Sequence, residues 1–487
     1  MRIRFTLLII ISLTISIQTS ANFNNYFLDK TMRIDYYHIG DADFEKVVID
    51  QIYSYGTWAG SLNNLVDKLN YGAYYTKIYD AESGKLIYSK GFDSYFKEYQ
   101  IGGEAKEGKV KSFHESAIIP TPIKKIIFAL DKRNKAGKLV EIFRDVIDPF
   151  DINILVDEGE DPTVEVFNSL SSGDSHIKAD IAIIAEGYTQ DDRDKFITDL
   201  KRFTNVFFTS EPLTSYKERF NIYGVLKPSS ESGCDEPRAA VYKRTSISST
   251  FNSMGSERYL LTEDNKTLRD IASHVPYDAI YIMVNHSRYG GGGIYNFYCT
   301  FTSDNIFSEY LMVHEFGHSF FGLADEYYTS STAYNDFYSP EYEPSEPNIT
   351  AMKDPEKIKW KHLLANGIEL PTPWEKEEFD KTDFTWQKER ERLNNITYDL
   401  QRNDASPEEV DRSRKDYDEK SSAREIEVQN YLSKSKYAGK VGAFEGAGYV
   451  PKGLYRSSIN CIMFSRTDFF CPVCQEAMIR IIEWYSN

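Results

Sequence analysis

Two histidines four residues apart, with a glutamate beside the first, stand out in "VHEFGHSFFGLADEYY", residues 313 to 328. On a helix, residues at that spacing lie one above the other on the same face. His314 and His318 can therefore aim two imidazole nitrogens at one metal ion. Glu315 sits about 100° around the helix, placed to reach a water on the metal rather than the metal itself. Zinc binds neutral imidazole at ~2.0–2.1 Å, keeps one position open and acidifies a water there to a pKa of about 7. Glu315 then takes the proton as the water attacks a carbonyl, and delivers it to the leaving amine. The bare pattern arises by accident in about one such chain in a hundred. The plainer reading is a core helix packed through Tyr310, Leu311, Phe316, Phe320 and Phe321.

A zinc site needs a third protein ligand. Gly322 can end the helix in the left-handed conformation, after which "LADEYY" returns toward the metal. A continuous helix would carry Asp325 ~10 Å along the axis from His318, so the turn at glycine is required. Asp325 is the preferred ligand and Glu326 the reserve. A transition-state hydrogen-bond donor is expected among Tyr327, Tyr328 and Tyr455.

Upstream, "SRYGGGGIYNFYC" places Gly290, Gly291, Gly292 and Gly293 after a strand. Consecutive glycines let backbones approach closely and expose peptide groups at a sheet edge, where a peptide substrate can add as a strand. A flexible loop is the plain alternative. Downstream, "INCIMFSRTDFFCPVC" offers Met463 as a methionine under the zinc site, against the default of a core methionine. The cysteines are Cys234, Cys299, Cys461, Cys471 and Cys474. In an exported chain they favour disulfides, and we expect a bridge among the last three with one thiol left over. A second zinc site is the less favoured reading of so few ligands.

The elements that position these residues read as follows. From 22 to 161 short alternating stretches such as "GAYYTKIYDAESGKLIYSKGF" and "KKIIFALDKRNKAGKLVEIFRDV" predict hairpins, and a β-sandwich with a structural or binding role. Residues 158–175 read as a connector. From 162 to 487 "ADIAIIAEGYT", a helix over about 190–208, "YDAIYIMVN" and the histidine helix predict an α/β domain of mixed sheet plus helices. Within it, residues 374–436 are dense in charge and break once at "DASPEE". There Asp404 or Ser406 can cap a second helix with Pro407 at its first position. We read an inserted, solvated helical hairpin serving as scaffold or rim.

With 487 residues, two or three domains are expected. The net charge of −17 argues against nucleic acid and against a polybasic membrane anchor. Residues 1–21 carry Arg2 and Arg4, an apolar run to Ile17 and small residues up to Ala21, the layout of a secretory signal peptide. The run is shorter than the ~20 residues of a membrane span. Export to the periplasm or beyond the cell follows, with no stable membrane insertion after cleavage.

"HEFGHSFFGLADEYY", "VNHSRYGGGGIYN", "ADIAIIAEGYT", "VGAFEGAGYVPKGLYRSSINCIM" and "FCPVCQEAM" together resemble the IgA peptidase M64 family of secreted bacterial zinc endopeptidases. The N-terminal stretches "LDKTMRIDYYHIG", "TWAGS" and "LIYSKGF" are similar to the β-rich domain that precedes the peptidase in gut Bacteroidetes members. The resemblance implies one catalytic zinc at His314 and His318, Glu315 as base and an acidic third ligand where Asp325 stands. It also implies a metzincin-like site, in which Met463 would be the Met-turn residue. The chain departs from the metzincin pattern: its glycine comes one residue later and no third histidine follows. The reading is an exported zinc endopeptidase acting on protein or glycoprotein substrates, with immunoglobulin A as one candidate. The alternatives are an exported glycoprotein-binding protein without turnover, and a metal-dependent amidase.

Overall fold

The computed structural model describes residues 22–157, 161–329 and 337–487. The signal-peptide reading of residues 1–21 lies outside them. Strands β1 (Phe27–Gly40), β2 (Glu45–Tyr55), β3 (Tyr74–Asp80), β4 (Leu86–Phe92), β5 (Lys111–Pro122), β6 (Ile126–Arg133), β7 (Leu139–Ile147) and β8 (Leu155–Val156) make two sheets. Their orders are β5-β1-β2-β8 and β4-β3-β6-β7. Ile34 and Tyr36 from one sheet and Ile78, Phe128 and Leu130 from the other share one apolar core, so the two sheets form a sandwich. The foreseen hairpins join β3 to β4 and β6 to β7. Gly84 and Gly137 take the left-handed conformation that their turns require, at φ +69° and +75°.

Two short helices, α1 (Tyr95–Gln100) and α2 (Gly103–Lys106), were not legible in the strand-like pattern of this half. Tyr95, Phe96 and Tyr99 pack into a core shared with Ile184, Leu268 and Ile282 of the C-terminal half, which binds the two halves together.

The C-terminal half is built on strands β9 (Glu165–Leu170), β10 (Ala179–Glu186), β11 (Phe220–Leu226), β12 (Ala279–Val284), β13 (Gly291–Ile294) and β14 (Tyr298–Thr302). Their order is β13-β14-β12-β10-β11-β9. The four inner strands are parallel, and β9 and β13 close the edges antiparallel. β10 is buried at every position, as a continuous apolar run between two covered faces should be. The stretch expected to be a mere connector supplies β9, whose half-exposed edge position explains its polar sequence. Helix α3 (Arg193–Phe207) buries Phe196, Leu200, Phe203 and Phe207 at helical spacing, with Val206 only partly buried. Helix α4 (Asn265–Ala272) covers the other face. Helix α5 (Ser308–Ser319) carries the histidines and contacts β13 and β14.

Helices α6 (Lys376–Arg402) and α7 (Pro407–Ser433) form the foreseen charged pair. Ser406 caps α7 in a reciprocal capping box with Glu409, and Pro407 occupies the first turn. A small sheet of β15 (Ile349–Thr350), β16 (Phe444–Ala447) and β17 (Val450–Arg456) follows in the order β15-β17-β16, and α8 (Pro472–Tyr485) ends the chain. Among the described residues no helix is long and apolar enough to cross a membrane.

Candidate metal centre and cleft

Helix α5 is buried nearly all round, with Phe316 and Phe320 stacked on each other at 5.0 Å. The packing predicted by the plain reading is therefore real, and it fixes the rotation of the histidine face. The helix stops as the sequence suggested. The Gly322 N–H donates to His318 O at 3.1 Å, the Leu323 N–H to Gly317 O at 3.0 Å, and Gly322 has φ +61°. The chain then doubles back, and Asn348 grips it by accepting from the Ala324 N–H and donating to Ala324 O, both at 2.8 Å.

This return brings three acceptors together. His314 Nε2 and His318 Nε2 are 3.3 Å apart, and each lies 3.2 Å from Asp325 Oδ1. Both rings are oriented from behind. His314 Nδ1 lies 3.0 Å from Ile462 O, and His318 Nδ1 lies 2.6 Å from Leu323 O. A carbonyl can only accept, so each Nδ1 carries the hydrogen and each Nε2 presents a lone pair in the neutral ring. Three lone pairs thus meet in a buried space, and Asp325 Oδ1 has no hydrogen-bond partner of its own. Such a triangle suits a cation. A tetrahedral zinc with ligands at ~2.0 Å has ligand–ligand edges of about 3.3 Å, which the observed triangle matches. The pocket favours positive charge, which a proton on His318 or a bound cation in its place supplies. Burial opposes charge on His318, but the Asp325 carboxylate outweighs it and pushes the imidazole up to about 9. Against the same burial, the two histidines hold Asp325 well below the usual carboxylate range.

Glu315 offers a carboxylate oxygen within 4.8 Å of the two imidazole nitrogens. Burial, aided by Asp325 and opposed by the two histidines, raises its pKa, as suits a group that must accept and release a proton. Met463 is buried on a turn closed by bonds from the Phe464 and Ser465 N–H groups to Cys461 O, at 2.9 and 3.0 Å. Its sulfur lies 2.7 Å from where a Cβ on Gly317 would stand, so it packs under the helix between the histidines.

The four glycines have different places. A Cβ on Gly290 would strike the Phe251 ring at 2.3 Å, and this residue stays outside the cleft. The edge groups of Gly291 are already taken by Arg258 O and the Leu260 N–H, at 3.3 and 3.2 Å. Of the four, only Gly293 is partly exposed. Close approach is the firmer role of the run: a Cβ on Gly293 would meet Glu315 O at 2.5 Å, and one on Gly291 would meet the Glu315 side chain at 3.1 Å.

Among the tyrosines, Tyr327 stacks over His314 at 6.3 Å and lines the cleft. Tyr328 is committed to Asp380 at 2.7 Å, and Tyr455 pairs on β17 away from the cleft. Sequence reasoning missed Tyr449, whose hydroxyl donates to Asp325 Oδ2. Its only signal was the flanking "GAG", which marks a turn but not a direction.

The cleft is walled from both sides. The N-terminal half contributes Asp93 and Glu98, and Glu346 lines the same cleft. Burial and repulsion by Glu346 push Asp93 up to about 6, and burial and repulsion by Asp93 push Glu98 up to about 8. The helical pair contributes Trp386, Arg390 and Arg424. The pair expected to be scaffold or rim thus supplies side chains to the cleft itself.

Comparison with family models settles the kinship of this architecture. The model for IgA Peptidase M64 matches residues 167–482, and the model for the Peptidase M64 N-terminus matches residues 22–144. The chain belongs to the IgA peptidase M64 family. No curated protein matches it. M64 is a metallopeptidase family, so the architecture is an M64 N-terminal domain followed by a metallopeptidase domain. The M64 match takes in every residue of the candidate centre, while Asp93 and Glu98 come from the N-terminal domain.

The cysteines depart from the expected bridge. All five are free and buried. Cys461, Cys471 and Cys474 do gather as predicted, but around Glu326 rather than into a disulfide. Glu326, the reserve ligand, is thereby drawn away from the histidines.

Proposed function

We propose that this M64 chain is an exported zinc endopeptidase, with His314, His318 and Asp325 holding one catalytic zinc and Glu315 as general base. The observation that carries the reading is the buried triangle of two Nε2 lone pairs and Asp325 Oδ1 with edges of 3.2–3.3 Å. Zinc, when bound, supplies Lewis acidity and an acidified water. The chain's own residues do the rest. Ile462 O and Leu323 O hold the imidazoles in the tautomer that leaves Nε2 free, and Tyr449 holds Asp325 by its second oxygen. Glu315 takes a proton from the attacking water and returns it to the departing amine. Tyr327, beside His314, is the best-placed donor to a developing oxyanion. Met463 beneath the helix supports a metzincin-like reading of the centre, with aspartate in the third ligand place.

The substrate is protein or glycoprotein, taken into a cleft with acidic groups on the N-terminal side and arginines on the helical pair. Immunoglobulin A is a candidate within that class. The charged, apolar and small-residue layout of residues 1–21 supports export. The test is to incubate the chain and its Glu315→Gln variant with native immunoglobulin A and mucin-type glycoproteins, and to map new N-termini by mass spectrometry. Cuts made by the wild type and absent with the variant support the proposal. Blank maps from zinc-loaded wild type would reject it for these substrates.

A further inference from the structure

We infer that Glu326, Cys461, Cys471 and Cys474 form a second metal site, closed and structural, for a thiol-loving divalent ion such as zinc. Each side chain is at most 1% exposed. One ligand atom from each lies within 4.8 Å of all the others. The Cys461 and Cys474 sulfurs are 3.8 Å apart, and Cys474 Sγ lies 3.4 Å from Glu326 Oε1. A tetrahedral zinc with sulfur at ~2.3 Å and oxygen at ~2.0 Å has edges of about 3.8 Å and about 3.5 Å. A disulfide would need its sulfurs at ~2.05 Å.

The donors around the sulfurs favour a thiolate above all at Cys471. The Cys471 N–H points at Cys461 Sγ at 3.3 Å, and the Cys474 N–H at Cys471 Sγ at 3.5 Å. Ser457 Oγ lies 3.2 Å from Cys471 Sγ. "CPVC" opens α8 with Cys471 at its N-cap, where the helix dipole also favours negative sulfur. Glu326 Oε1 accepts from Asn348 at 3.1 Å, while the buried Oε2 has no hydrogen-bond partner. A buried carboxylate facing three sulfurs needs a cation, and four protein ligands leave no open position for substrate.

The placement gives the site a purpose. Its ligands come from the return strand directly after Asp325, from the turn that carries Met463, and from the start of α8. The Glu326 N–H also donates to Met463 O at 2.8 Å. An ion here would pin those three segments together and so fix Asp325 and the floor beneath the histidines. No ligand is shared with the histidine centre.

The test is the metal and thiol content of the chain from residue 22 onward, purified without reductant or added metal. Two zinc ions per chain and five alkylatable thiols in denaturant are expected. His318→Ala should keep one zinc. Reconstitution with cobalt gives a second readout, because only this site can show thiolate-to-cobalt charge transfer. That band should persist in His318→Ala and vanish in Cys474→Ser. The milder Glu326→Gln keeps the three sulfurs and should hold the ion more weakly, by at least tenfold in competition with a chelator. A mass two hydrogens short, or a wild type holding a single zinc that falls to none in His318→Ala, would overturn the inference. Zinc retained only at the cysteines would instead uphold it and count against the histidine centre.

Discussion

Asp325 and Glu326 are neighbours in the chain, yet their carboxylates enter two separate clusters, one of imidazoles and one of thiols. Their side chains leave the returning segment toward different partners: Asp325 toward His314 and His318, Glu326 toward Cys474. Consequently the two positions should respond differently to loss of charge. Asp325→Asn should weaken zinc binding at the histidines and reduce peptidase activity by about 100-fold or more. Glu326→Gln should leave the three histidine-centre ligands in place and lower thermal stability instead. Zinc titration against a chelator, alongside turnover, separates the two. Equal zinc affinity in Asp325→Asn and wild type would remove Asp325 from the ligand set.

Glu315→Gln tests the base apart from the metal. The amide keeps the size of the carboxylate but cannot take a proton. Activity should fall by about 10²–10⁴-fold while zinc content stays unchanged. A variant that lost zinc together with activity would mean that Glu315 is a ligand and not a base.

Much of this was readable in the chain because local rules and tertiary needs agree. The spacing of His314 and His318, the left-handed Gly322 and the Ser406 capping box are each set within a few residues. So are the buried strands around Ile183 and Ile282. What was not readable depends on contacts between distant segments. Tyr449 reaches Asp325 across 124 positions. Glu326 meets Cys474 across 148 positions, and no sequence pattern links them. The α1 helix was hidden because its aromatic residues fit a strand as well as a helix, and packing against the C-terminal half decided the matter.

The glycines beside the helix give a test of close packing. A Cβ on Gly293 would meet backbone, Glu315 O at 2.5 Å, whereas one on Gly317 would meet the flexible Met463 sulfur at 2.7 Å. Gly293→Ala should therefore cost about 1–3 kcal/mol through forced separation of β13 and α5. Gly317→Ala should cost less, since Met463 can change rotamer. Urea unfolding midpoints at constant slope measure both. The reverse order would show that Met463 is held more rigidly than the strand.

Glu236 ties the sheet to the helical pair and makes that docking sensitive to acid. Its carboxylate is 4% exposed and lies 3.2 Å from His286, 3.4 Å from Arg288 and 3.6 Å from Arg414 of α7. Burial alone would raise its pKa, but His286, Arg288 and Arg414 outweigh burial and hold it at about 2, below the ordinary 4.5. A depressed folded pKa means that the unfolded chain binds the proton more readily. The stabilisation is then present above pH 4.5 and is lost as pH falls toward 2. The shift corresponds to roughly 3 kcal/mol at neutral pH. Glu236→Gln should therefore be less stable than wild type at pH ~6, and the gap should narrow as pH falls through the carboxylate range. Urea denaturation of both proteins at the two ends of that range measures the gap. A gap that stayed constant with pH would mean that Glu236 acts by shape and hydrogen bonding rather than by charge.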